Sequence, residues 1–197
     1  NYKMKGILQF LELYKQFKNN KSIPYYWGYE MEYMFVICDK HAGSFKLNLI
    51  GSEMIEKLSD IVDADNLSCW KPEYANWMIE KIPEKPYTNK DLEFLNIEND
   101  IKDELTYLNK ALDNNTFAIM LTAFPLLGTK QFFLPNKKTF NQHSLSSFLP
   151  DNIINPHIRF KTLTENIRKR RGKKVKISIP IFKDINTNIR INNNRKI

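Results

Sequence analysis

Eight residues near the start of the chain, Trp27-Gly28-Tyr29-Glu30-Met31-Glu32-Tyr33-Met34, restrict what it can fold into more than any other stretch. They run on into Phe35, Val36 and Ile37, so aromatic and β-favouring residues dominate from Tyr25 to Cys38 and predict a strand. Side chains two apart in a strand share a face, which sets Glu30 and Glu32 side by side, roughly 7 Å apart at Cα. The apolar run that follows argues against a solvated edge. Two like charges on a partly buried face cost free energy unless they share a proton or a cation compensates them. A hard divalent cation is the usual solution, because Mg²⁺ takes carboxylate oxygens octahedrally and bridges to phosphate oxygens. The plainer alternative is a half-wet strand whose polar face carries both acids.

A second acidic set follows in Pro72-Glu73-Tyr74 and Met78-Ile79-Glu80. Glu73 and Glu80 lie in another aromatic-rich stretch, where unpaired acids are rare. Their spacing of seven places them on one face of a helix but on opposite faces of an ideal strand. If Trp70 to Ile82 is a strand, bounded by Pro72 and Pro83, a bulge or bend is needed to bring both acids to one site.

Elsewhere the periodicity predicts a helix through Ile7, Leu8, Phe10, Leu11, Tyr14 and Phe17, a second at Ser52 to Ile61, and a long third from Lys90 to Leu112 stopped by Asn114 and Asn115. The apolar run Phe117 to Phe124 reads as a buried strand ending at Pro125, and Val175 to Phe182 as a short strand. Asn136 to His157 reads as a polar loop. Strands separated by helices of uneven length point to an α+β fold with an antiparallel sheet.

The formal net charge of +8 suggests an anionic partner until its location is considered. Seven Lys or Arg fall between Ile167 and Lys176 with no acid, and the rest of the chain holds 23 bases against 22 acids. The excess is one local run. Nucleic-acid binding is one reading of it, a solvated surface another. A third is contact of Arg168, Arg170 or Arg171 with a phosphate or carboxylate, for which guanidinium geometry is suited. Only Cys38 and Cys69 are present, with no CxxC spacing, which fits a reducing compartment. Cys38 is expected to be a buried core thiol, and Trp27, Trp70 and Trp77 to be core. The three histidines show no metal-ligand spacing. No segment approaches the roughly 18 apolar residues that cross a bilayer, so the expected location is cytoplasmic with no membrane partner.

At these residues the sequence resembles the catalytic subunit of eukaryotic glutamate-cysteine ligase, the first enzyme of glutathione synthesis. The likeness runs from Gly6-Ile7-Leu8-Gln9-Phe10-Leu11 through the Trp27 to Met34 segment and Pro72-Glu73-Tyr74 with Met78-Ile79-Glu80. It continues through Thr122, Phe124-Pro125 and Leu127-Gly128, then Phe148, Pro150-Asp151, Arg159-Phe160 and Thr162-Leu163-Thr164. It closes on Asn166-Ile167-Arg168, Arg170-Arg171-Gly172, Lys174-Val175 and Pro180-Ile181-Phe182-Lys183-Asp184. The resemblance implies a glutamine synthetase-like domain, a curved antiparallel sheet with flanking helices that holds ATP, L-glutamate and Mg²⁺. It implies that Glu30, Glu32, Glu73 and Glu80 are metal ligands, that the γ-carboxylate of glutamate is phosphorylated by ATP, and that the amine of L-cysteine then attacks the acyl phosphate. No nucleophilic side chain is required. A modifier subunit is a possible partner; nucleic acid is not expected.

The chain departs from the family pattern at Tyr29, where Asp is common, and at Leu126, where Arg is common. The first points away from Glu30 on a strand, so its loss need not harm metal binding; the second puts an anion contact in doubt. The expected organisation is residues 1–184 as the N-terminal part of the catalytic domain and 185–197 as an Asn-rich linker or insertion, both ends reading as cut from something longer. The alternative function is a non-catalytic metal- or ligand-binding module derived from the same fold.

Overall fold

A computed structural model describes residues 2–21, 25–40, 43–88, 92–127, 132–134, 149–173 and 185. In chain order its elements are α1 (Tyr2–Phe17), β1 (Tyr26–Trp27), β2 (Met31–Asp39), β3 (Ser44–Asn48), α2 (Gly51–Leu58), α3 (Ala64–Ser68), β4 (Trp70–Pro72) and β5 (Met78–Lys81). Then come β6 (Tyr87–Thr88), a 3₁₀ turn at Glu93–Asn96, α4 (Ile97–Ala111), β7 (Thr116–Ile119), β8 (Phe133–Leu134), a 3₁₀ turn at Asp151–Ile153 and α5 (Ile158–Arg171). The class is mixed α and β with a curled, antiparallel-rich sheet and flanking helices. One pairing, β3 with β8, is parallel.

β2 organises the sheet. Met34 pairs with Met78 of β5 and with Ile119 of β7, so those two strands take opposite edges. Val36 pairs with Leu47 of β3 and Phe117 of β7, which sets β3 on the same edge as β5, further along. β7 stops at Met34, so beside Glu32 that edge of β2 has no strand partner among the described residues.

Alternation along β2 then sorts the core into two layers. Tyr33 and Phe35 face the helices and cluster with Met54 and Leu58 of α2, Leu108 and Ala111 of α4, Trp70 and Ile79. Met34 and Val36 face the other way, with Leu47, Trp77, Phe124, Phe132 and Phe133. Tyr33, Phe35, Met54, Leu58, Ile79 and Leu108 are all fully buried, each stabilising the fold by about 1.5–3 kcal/mol.

α2 starts where the chain passes close under the turn into β5. The Gly51 amide donates to the Asn76 carbonyl at 2.6 Å, and the Asn76 side chain accepts from the Ser52 amide at 2.9 Å and donates to the Leu49 carbonyl. A Cβ at Gly51 falls 2.6 Å from the Met78 carbonyl oxygen, so only glycine fits.

Several expectations are corrected. Tyr25 to Cys38 is two strands, broken at Gly28 to Glu30 where the chain turns from its pairing with β6 to its pairing with β5. Trp70 to Ile82 is also two strands, β4 and β5, folded back on each other. The apolar run from Phe117 forms only the short β7, and Phe117, Met120 and Leu121 are 47–49% exposed because nothing described covers that side. Cys38 is half-buried at the far end of β2; Cys69 is the buried thiol, and neither is in a disulfide.

The predicted first helix forms, but none of its residues is buried among the described ones. α5 has no counterpart among the sequence expectations. His157 accepts the Arg159 amide at its start, and Gly172, at φ 66°, closes its end. His41 and His143, the Val175 to Phe182 strand, and nearly all of the Asn-rich tail lie outside the described residues. No described helix is long and apolar enough to cross a membrane.

Candidate functional site

The register of the sheet brings the acids of the two sequence segments together. Glu32 on β2 lies directly opposite Glu80 on β5, and Glu80 in turn lies opposite Lys71 on β4. Residues paired across strands share a face, so this row stands on the same side as Met34 and Val36, away from α2 and α4. Pro72 pairs with Ile79, so Glu73, one residue on, sits diagonally across from Glu80. The bend that the seven-residue spacing required is the turn between β4 and β5.

Glu80 feels all of the others. Its carboxyl is pushed up to about 7, first by burial, then by a hydrogen bond with Glu73, then by the charges of Glu73, Glu30 and Glu32. Glu30 stands just outside β2 rather than in it, so it reaches Glu80 from the turn and not along the strand. None of the four acids forms an ion pair with a described Lys, Arg or His, Lys71 included.

Among the described residues no three Asp, Glu, His or Cys side chains stand in a ready metal-ligand arrangement. The chemistry of the set nevertheless fits a divalent cation. Four carboxyl groups gathered on one site, with Glu80 pushed up first by burial and then by its acidic neighbours, are a donor set that a hard cation relieves by supplying positive charge.

The two ends of the arginine run differ. Arg170 and Arg171 are exposed on the last turn of α5, where basic residues suit the helix dipole. Arg168 is turned in: Nε and Nη1 are buried with no hydrogen-bond partner among the described residues. It follows Phe160 and Thr164 at four-residue steps on the buried face of α5, and Thr164 shares a 3.0 Å hydrogen bond with the hydroxyl of Tyr74, the neighbour of Glu73. Further along β2 on the same sheet face lies an apolar groove of about 610 Å³, lined by Val36, Phe45, Phe117, Ile119, Leu121 and Leu126.

The glutamate-cysteine ligase family model matches residues 1–196. The chain belongs to the glutamate-cysteine ligase family. It is 40% identical over 188 residues to the human glutamate-cysteine ligase catalytic subunit, a match that takes in 92% of this chain and 30% of that protein. The glutamate-cysteine ligase of Dictyostelium discoideum is 36% identical over 92% of this chain and 29% of its own length. That of Candida albicans is 36% identical over 93% and 28%. This glutamate-cysteine ligase family chain therefore spans somewhat under a third of the length of the curated relatives it matches.

Sequence reasoning missed one member of the site's surroundings. Glu104 of α4 is 4% exposed and takes hydrogen bonds from Tyr29 and Tyr33 behind the acid row. The signal was present: an acid between Ile101, Leu105 and Leu108, inside the apolar stripe of a helix.

Proposed function

We propose that this chain supplies part of the active site of an ATP-driven glutamate-cysteine ligase, with Glu30, Glu32, Glu73 and Glu80 as the ligands of Mg²⁺. The observation that carries the reading is the register that sets Glu32 opposite Glu80 with Glu73 diagonal to it, gathering acids from two segments over forty residues apart. Family membership adds the reaction, since the relatives are named for joining glutamate and cysteine.

In this reading the γ-carboxylate of L-glutamate takes the terminal phosphoryl group of ATP, ADP leaves, and the amine of L-cysteine displaces phosphate to give γ-glutamylcysteine. Bound Mg²⁺ would neutralise charge on the phosphates during transfer. The four carboxylates would hold the cation. Two buried guanidinium nitrogens lacking described partners support Arg168 as the contact to a phosphate or carboxylate. Arg170 and Arg171 are weaker candidates, because they are exposed.

The fold reading goes with it: a glutamine synthetase-like domain to which residues 1–184 contribute the N-terminal part, with 185–197 as a linker or insertion. A cytoplasmic location and a modifier subunit complete the proposal. The test is calorimetric titration of Mg²⁺ into the protein and into Glu32→Gln, with ATP-dependent γ-glutamylcysteine formation followed in parallel. Loss of both in the variant supports the assignment; unchanged Mg²⁺ binding refutes it.

A further inference from the structure

Two tyrosines of the first acid-bearing segment turn to the back of the sheet and meet on one side chain, and a buried lysine of the second lies on the same side. Tyr29 donates to Glu104 Oε1 at 2.5 Å, and Tyr33 donates to Glu104 Oε2 at 3.1 Å. Lys81 is 3% exposed, donates to the Ile82 carbonyl at 2.9 Å, lies 5.5 Å from the centre of the Trp70 ring, and exerts its charge on Glu104. Each of the three is the sequence neighbour of one of the four acids: Tyr29 of Glu30, Tyr33 of Glu32, Lys81 of Glu80. One turn earlier on α4, Asp100 accepts the hydroxyl of Tyr87, whose ring packs on Trp27 at 5.1 Å and on Tyr29 at 5.9 Å. A polar cleft of about 560 Å³ opens beside these groups, lined in part by Tyr29, Lys81, Tyr87 and Glu104.

Packing alone does not call for this acid. An apolar side chain at position 104 would extend the layer formed by Leu108 and Ala111, and replacing buried charge with well-fitted apolar groups is often neutral or stabilising. What the carboxylate adds is direction. It ties Tyr29 and Tyr33, which bracket Glu30 and Glu32, to a helix 71 to 75 residues further along the chain. Ligand carboxylates must be held to within about 0.5 Å, and groups behind the ligands supply that restraint.

We propose that Glu104 is a positioning residue for the cation site, holding the backbone of Glu30 and Glu32 in register with Glu80 through its hydrogen bonds to Tyr29 and Tyr33. The inference rests on the metal-centre reading above. It is tested by calorimetric Mg²⁺ titration of the full chain and of Glu104→Leu, Glu104→Gln, Leu108→Ala and Glu32→Gln, each at a temperature where circular dichroism shows it folded.

Glu104→Leu removes the shared acceptor and weakens Mg²⁺ binding about tenfold. Glu104→Gln keeps an acceptor and stays within about threefold of wild type. Leu108→Ala, on the same helix and fully buried, lowers Tm by the cost of a core cavity and leaves the Mg²⁺ Kd within about threefold. If Glu104→Leu does not fold, Tyr29→Phe/Tyr33→Phe removes the same two hydrogen bonds with the carboxyl intact, and the same tenfold loss is expected. Wild-type affinity in Glu104→Leu or in the double variant, or an equal loss in Leu108→Ala, overturns the proposal. Wild-type affinity in Glu32→Gln identifies the metal-centre reading itself as the failure; loss there with none at Glu104 isolates the failure to the positioning role.

Discussion

Glu32 and Glu80 are cross-strand partners, Cα opposite Cα, in a register that leaves both on the face away from the packing helices. Like charges in that relation are destabilising, by roughly 0.2–1 kcal/mol on a sheet surface. Neutralising one of them therefore has opposite effects on stability and on function. Glu32→Gln is expected to raise Tm in the presence of a chelator while weakening Mg²⁺ binding, and thermal melts with and without Mg²⁺ read both at once. A variant that loses stability in chelator contradicts the repulsion on which the site is argued.

Protonation of Glu80 gives the site a pH dependence whose sign is set. Its carboxyl is raised from 4.5 to about 7 in the folded chain, chiefly by burial and then by Glu73. Between those values the folded state holds a proton that the unfolded state has lost, so this group's contribution to stability falls as pH rises from 4.5 through 7. Since a bound cation needs the carboxylate, Mg²⁺ affinity rises over the same range, by about tenfold per pH unit below 7. Titrations at pH 6 and 8 measure it, and Glu80→Gln is expected to flatten both trends.

Gly51 and Asn76 fix the start of α2 against the β4 to β5 turn, the turn that brings Glu73 back to Glu80. Gly51→Ala sets a methyl 2.6 Å from the Met78 carbonyl oxygen, where backbone must move. The expected cost is about 1–3 kcal/mol in chemical denaturation. Asn76→Ala loses the bonds to Ser52 and Leu49 and leaves a part-buried carbonyl and amide unmet, for a similar cost of about 1–3 kcal/mol. Denaturation midpoints within experimental error of wild type for both variants contradict this account of the turn.

Arg168 and Arg170 are two residues apart and are expected to behave differently. Losing a charge-assisted hydrogen bond from Arg168 is worth about 1.5–3 kcal/mol, or roughly 10- to 150-fold in kcat/KM of the full-length enzyme. Arg170→Ala, at an exposed position, stays within about threefold. Steady-state kinetics on the pair decide it, and equal losses remove Arg168 from the site.

Much of this arrangement was readable from residue order alone. The density of aromatic and β-favouring residues from Tyr25 to Cys38 marked a strand, the spacing of Ile101, Leu105 and Leu108 marked a helical core face, and the two acidic pairs marked the chemistry. Such patterns are local: a period of two or of 3.6 is written over a few residues, and burial of the apolar face enforces it.

The tertiary structure decided which of those faces meet. Residue order left Glu73 and Glu80 unplaceable, because seven residues mean one thing in a helix and another in a strand. The fold-back of β4 on β5 resolved it through pairings such as Trp70 with Lys81. Glu104 acquires its role only when α4 lies across Tyr29 and Tyr33, and Arg168 is separated from Arg170 only by the side of α5 that Phe160 and Thr164 bury. The physical reason is the same throughout. A side chain's periodicity is set by its neighbours in sequence, whereas its partner is chosen by the packing of apolar layers contributed by segments tens of residues apart.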